Sequence, residues 1–217
     1  MLRQLVTYEW FTIFLIIGLL CITSAKQLFR LRFNDFVMVF TSSKYLKIYT
    51  RDQKFIDTFD GLLFANLVIS LSIFIFFGYH SFIEPVVFDF YSFLKVMLAV
   101  SLFFLIKIMV ERLVGSLFDM EQLMDSYLFQ KTTYKNFSGL VILFFNLFLL
   151  YSAVDPKILI YSCLVFIVLI NIIGFINTYQ NNLNAINLNI FYFLLYLCAL
   201  EIGPYILLFK ALKEYNG

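Results

Sequence analysis

Histidine occurs once in this sequence, at His80, and that scarcity disposes of much metal chemistry before any motif is sought. Haem, zinc and di-iron sites built on several imidazoles need more than one. Cysteine does not make up the deficit. Its three copies, Cys21, Cys163 and Cys198, lie within apolar runs, and no two have metal-ligand or redox spacing. They read as small apolar packing residues. Charge is scarce too, at 14% of residues, where soluble domains carry about 25%. A net charge of +2 is too small to point to nucleic acid. No Ser/His/Asp arrangement, Walker-type loop, glycine-rich nucleotide turn or paired-aspartate motif stands out. That weighs against catalysis of the soluble kind, and neither a cofactor nor a metal is expected.

What the chain has in abundance is apolar surface, 62% of its residues, with 29 phenylalanines. A soluble fold could not hide so much, so lipid must be the solvent for much of it. Six segments have the roughly 20-residue length a helical span needs, near 10–25, 59–79, 91–112, 137–154, 157–177 and 188–210. The expected fold is all-α: one integral membrane domain over 1–217, a polytopic bundle of about six spans with cytoplasmic amphipathic interfacial helices. A cleaved signal peptide is the rival reading of the first run, with Thr23-Ser24-Ala25 as its small-residue site. Glu9 before the run and Lys26, Arg30 and Arg32 after it favour a retained span.

Lysine and arginine in the connections set the orientation. One side carries Lys26, Arg30, Arg32, Lys44, Lys47, Arg51 and Lys54, then Arg112, Lys131 and Lys135, ten in all. The other holds five: Arg3, Lys95, Lys157, Lys210 and Lys213. The richer side is expected to be cytoplasmic. Both termini then face the periplasm of a bacterial inner membrane.

Two cytoplasmic segments have helical patterning of their own. In 29–40, Phe33, Phe36, Val37 and Phe40 share one helix face. After a possible restart at Thr41-Ser42-Ser43, Lys44-Tyr45-Leu46-Lys47-Ile48-Tyr49 interleaves cations with apolar rings and chains. The region reads as helices lying in the membrane interface. Arg30, Arg32, Lys44, Tyr45, Lys47, Tyr49 and Arg51 are expected to meet lipid headgroups or a partner; the alternative is that the cations serve only to hold topology. The loop 116–136 repeats Leu117, Met120, Leu123 and Met124 at helical spacing. It is expected to hold a further cytoplasmic helix, packed under the bundle or against a partner.

Arg32-Phe33-Asn34-Asp35-Phe36 with the 44–49 segment, and Ser126-Tyr127-Leu128-Phe129-Gln130-Lys131 through Asn136, resemble an uncharacterised integral-membrane family of Bacteroidota. The resemblance covers nearly the whole chain. The family has only a domain-of-unknown-function label, so no catalytic residue carries over. Its genes lie near a polyprenol-phosphate mannose synthase-like gene, which implies envelope biology.

Among polar residues in the apolar runs, Glu201 is the sharpest. Counted from Leu188 at ~1.5 Å per residue it lies roughly 20 Å into the last run. A carboxylate there is costly unless paired, hydrated or protonated. Pro204 frees the carbonyl of Leu200, so the pair suggests a polar break, either a proton, ion or substrate site or a structural hydrogen bond. Lys107 and Glu111, one turn apart, form a self-neutralising pair or mark a site. Asn66, Asn146 and Asn171 all fall roughly 10 Å from the cytoplasmic edge. They read as a polar lock between helices, with a hydrophilic pathway as the alternative. His80, near Glu84 and Asp89, reads as an interfacial histidine rather than a metal or pH site.

The functional expectation is a non-enzymatic inner-membrane subunit or scaffold of a cell-envelope complex, in contact with membrane lipids and protein partners and not with nucleic acid. Two alternatives stand: a small transporter or channel using Glu201 and the asparagines, and a lipid-handling enzyme or anchor for a polyprenyl-phosphate glycosyltransferase.

Overall fold

A backbone in hydrocarbon has no water to bond to, so apolar runs of membrane length form helices that satisfy their own N–H and C=O groups. The computed structural model describes residues 9–40, 44–49, 57–83, 89–117 and 121–181. These form α1 (Glu9–Leu28), α2 (Arg30–Val37), α3 (Lys44–Tyr49), α4 (Thr58–Phe82), α5 (Phe90–Leu117), α6 (Glu121–Tyr151) and α7 (Pro156–Asn181), with no strand among the described residues. Five of them, all but α2 and α3, are long and apolar enough to cross a membrane. The run at 188–210 lies outside the described residues.

The helix starts are written in short polar residues. The Asp57 carboxylate accepts the Phe59 N–H at 3.1 Å and caps α4. Asp89 accepts the Ser92 N–H at 2.9 Å at the head of α5, and Asp155 that of Lys157 at 2.9 Å before α7. Pro156 opens α7, where a missing N–H leaves no intrahelical bond unmade.

Helices α4 and α6 form the centre. Within their most apolar stretches 56% of residues are buried, against 11% in α5 and 22% in α1 and α7. The two central helices meet closely because Gly139 offers no side chain: a Cβ there would stand 2.9 Å from the Leu67 Cα. The core has two parts. One joins Phe11, Phe14, Ile73, Phe77 and Phe93 to Ile142, Leu149 and Ile160. The other gathers Phe33, Phe36, Tyr45, Leu46, Phe59 and Leu63 around Phe129, Tyr134 and Ile170.

The second part changes two expectations. Residues 121–136, expected to hold a separate cytoplasmic helix between two spans, are the first half of α6, continuous with the span. Their polar side chains bond within the helix, Thr133 to the Phe129 carbonyl at 2.8 Å and Ser138 to that of Tyr134 at 3.0 Å. No glycine or proline interrupts 121–138. The apolar face of 29–40 also shifts. Phe33 and Phe36 are buried, but Val37 ends α2 and is exposed, and the turn that follows carries Val39 inward instead.

Candidate functional site

Three polar assemblies stand out against the apolar background. The first pins α2 and α3 to the start of α4. Arg32 pairs with Asp57 through Nη1 and with Asp60 through Nη2, the latter at 2.9 Å. Its guanidinium also lies over the rings of Phe59 (4.6 Å) and Tyr49 (5.1 Å). A planar cation that bonds carboxylates along its edge and stacks on aromatics with its face suits this position better than lysine. Asp57 therefore has two roles, helix cap and ion-pair partner.

Tyr45 lies beside this group and is 1% exposed. Its ring packs on Phe36 and Phe129, each 5.7 Å between centroids. Burial pushes its phenol pKa up, the Asp60 carboxylate adds to the rise, and the Arg32 guanidinium opposes it. Tyr45 and Arg32 were expected to face headgroups or a partner, and both turn inward. The reason is α6: its early turns extend far enough to give α3 a protein surface to pack on, so the aromatic leaves the interface. Arg30 stays exposed and Tyr49 is half-buried. Lys44 and Lys47 belong to α3, and Arg51 lies outside the described residues.

The second assembly is a charge cluster between α5 and α6. Glu111 is 1% exposed, with its Oε1 atom 2.6 Å from Lys131 Nζ and 3.9 Å from Lys107 Nζ. The i, i+4 pair expected from sequence is present, but the shorter bond comes from the neighbouring helix. A buried ammonium group, Lys107, and a partly buried one, Lys131, thus share one carboxylate, which offsets the desolvation each would suffer alone. Nearby, Arg112 pairs with Asp125 at 3.3 Å, and both line a cavity of about 590 Å³ walled by Met109, Leu113 and Met124.

The third assembly is a hydrogen-bond chain at the α4–α6 contact. Asn146 Nδ2 donates to the Ser70 carbonyl at 2.8 Å, and Ser70 Oγ donates to Asn66 Oδ1 at 3.3 Å. All three residues are fully buried. Gly18 of α1 lies against this chain, since a Cβ there would come 3.1 Å from Asn66 Oδ1. Asn171 is not part of it: exposed on α7, it donates to its own helix at Ile167, 2.7 Å away.

Asp89 accepts from both the hydroxyl and the N–H of Ser92, and these bonds hold its carboxyl below the ordinary aspartate range. His80 is half-buried near the end of α4. No group of three or more His, Cys, Asp or Glu side chains gathers among the described residues. Glu84, Glu201 and Pro204 lie outside them. Sequence reasoning missed Lys131 as the partner of Glu111 and Asp57 and Asp60 as partners of Arg32. A signal existed for the second: Asp57 precedes the apolar run at capping distance.

Five membrane-length helices define a multi-pass helical membrane protein. Within that class the chain belongs to the family of a domain of unknown function, DUF4271, whose model matches residues 11–212. No curated protein and no solved structure matches the chain.

Proposed function

We propose that the protein is a non-enzymatic subunit or scaffold of a cell-envelope complex in the bacterial inner membrane, with both termini periplasmic and with lipids and inner-membrane proteins as its partners. The observation that carries this reading is the use to which the described intramembrane polar groups are put. Glu111 is engaged by two lysines, one of them on the neighbouring helix, and Asn146 of α6 bonds across to the Ser70 carbonyl of α4, whose hydroxyl holds Asn66 within that helix. Such groups hold helices in register, as a scaffold requires. A transport route would instead present them to a moving ligand.

The outward faces fit the same role. α5 is 28 residues long and mostly uncovered, with Leu98, Leu102, Leu105, Ile106 and Met109 displayed along it. Lipid and partner helices can both cover such a face. Purification of the native complex in a mild detergent, followed by cross-linking from single cysteines at Leu98 and Leu105, tests the proposal. Defined adducts to the same inner-membrane protein at both positions are expected. A lone, monodisperse chain that gives no adduct at either position overturns the scaffold reading.

A further inference from the structure

Asn171 is a polar residue in a place that lipid alone does not explain. Of the asparagines in the described spans, Asn66, Asn136 and Asn146 are buried, and Asn177 donates to the Tyr134 hydroxyl. Asn171 alone is exposed, near the middle of α7. Its Nδ2 donates one hydrogen to the Ile167 carbonyl at 2.7 Å. The second Nδ2 hydrogen and Oδ1 bond to no described residue, and an amide left so in hydrocarbon is costly. Leu164, Val168 and Phe175 are exposed beside it. With Asn171 they follow 4-3-4 spacing, the seam that one straight helix offers another. Asn171 and Phe175 also edge a narrow cleft of about 130 Å³ against α6, so a helix seated on this seam lies along the groove between α7 and α6.

The chain itself supplies an occupant. α7 is described as far as Asn181, beyond the 177 expected of that span, and the six residues 182–187 separate it from Leu188, where the last apolar run begins. Connections that short join helices lying antiparallel and side by side. At ~1.5 Å per residue Asn171 lies roughly 15 Å back from Asn181, and Glu201 roughly 20 Å on from Leu188. A hairpin centred on 182–187 thus brings the two within about one turn of the same depth. It also sets Leu194 opposite Phe175 and Tyr205 opposite Leu164. In the sequence, Leu194, Cys198, Glu201 and Tyr205 repeat the 4-3-4 spacing of the seam on α7.

We propose that the run 188–210 lies against this seam of α7, with Asn171 as the hydrogen-bond partner of Glu201. The two groups complement each other. A neutral carboxyl donates its O–H to Asn171 Oδ1, and its carbonyl oxygen accepts the second Nδ2 hydrogen. Neither group then meets hydrocarbon unpaired. The short tether holds this occupant at the seam, whereas a second copy must arrive by diffusion and lipid chains offer no donor at that depth. Glu201 is then the anchor of the last span, whether or not the chain serves a complex.

The test uses the full chain in its native membranes, with Cys21, Cys163 and Cys198 replaced by alanine. Phe175→Cys is combined with Leu194→Cys, and in a second variant Leu164→Cys with Tyr205→Cys, so that Asn171 and Glu201 both remain. On mild oxidation each variant should form a disulfide within one chain, read by peptide mapping at the monomer mass. Ile173→Cys, on the opposite side of α7, should not form one with Leu194→Cys. A disulfide-linked dimer overturns the inference and assigns the seam to a second copy. No disulfide in either variant, or an equal yield from Ile173→Cys, overturns it and leaves the seam to lipid or another protein. A second measurement reads the pair itself. Were Asn171 turned to lipid, Asn171→Leu would raise the melting temperature in detergent or leave it unchanged. Paired with Glu201, it should lower it by about 2–4 °C, and the loss should vanish in a Glu201→Leu background. A raised or unchanged melting temperature in Asn171→Leu, or the same loss in both backgrounds, overturns the pairing. Should Glu201→Leu not fold, the sign of the Asn171→Leu shift and the disulfides decide.

Discussion

Glu111 is the residue on which most depends, because it stands between a buried cation, Lys107, and a partly buried one, Lys131. Replacing one member of a buried ion cluster leaves the others uncompensated, at a cost of about 3–5 kcal/mol. Glu111→Leu should therefore lower the melting temperature in detergent far more than a surface substitution. Adding Lys107→Met and Lys131→Met to it should recover much of the loss, because no unpaired charge then remains. A triple variant no more stable than Glu111→Leu would refute the charge-sharing account. Asn146 carries less: Asn146→Leu removes one interhelical bond, of the order of 0.6 kcal/mol. At Tyr45 the consequence is a pH dependence. Its folded pKa is raised by burial, so its contribution to stability is intact below the ordinary phenol value of about 10 and is lost as pH rises from there. Tyr45→Phe should make unfolding between about pH 10 and 12 less steep, as followed by circular dichroism.

Helices, more than residues, show what could be read in the sequence and what could not. The five described spans were legible because an apolar run of near membrane length has few other fates. The first half of α6 was legible as a helix, but not its continuity with the span. Gln130, Lys131 and Thr133 look like a loop to any hydropathy count, and only their bonds within the helix and to α5 explain them. The inward turn of Tyr45 was hidden for the same reason, since its cover is Phe129, on a helix whose start had been misplaced. Lys107 and Glu111 were legible as a pair because they share one helix. Lys131 was not, because its nearness to Glu111 depends on α5 and α6 lying side by side. The α4–α6 contact makes a prediction at this scale. Gly139→Val would thrust two methyls at the Leu67 backbone and should cost about 1–3 kcal/mol, seen as a lower melting temperature. Gly61→Val, where a Cβ meets nothing within 4 Å, should cost less, mainly β-branched helix propensity.

The whole molecule is expected to alternate across the membrane from its periplasmic N-terminus. Helices α2 and α3 and the α5–α6 connection then lie on the cytoplasmic side, and the α6–α7 connection lies on the periplasmic side. Single cysteines at Ser116 and Asp155 check this in intact cells. Asp155→Cys should react with a membrane-impermeant maleimide, and Ser116→Cys only after lysis. Reaction of both, or of neither, would show that a span has been miscounted.

The second core cluster joins Phe36 and Tyr45 to Phe129 and Tyr134, residues far apart in the chain. During synthesis the first two emerge well before the last two. At about 5–20 residues per second, the ribosome needs on the order of ten seconds to make the surface on which α3 comes to rest. For that interval an aromatic, basic segment waits without its cover. It is then a sticky intermediate, open to insertion factors, to chaperones and to a second nascent copy. Chains halted before α6 should therefore be cleared by membrane proteases much faster than chains halted after it.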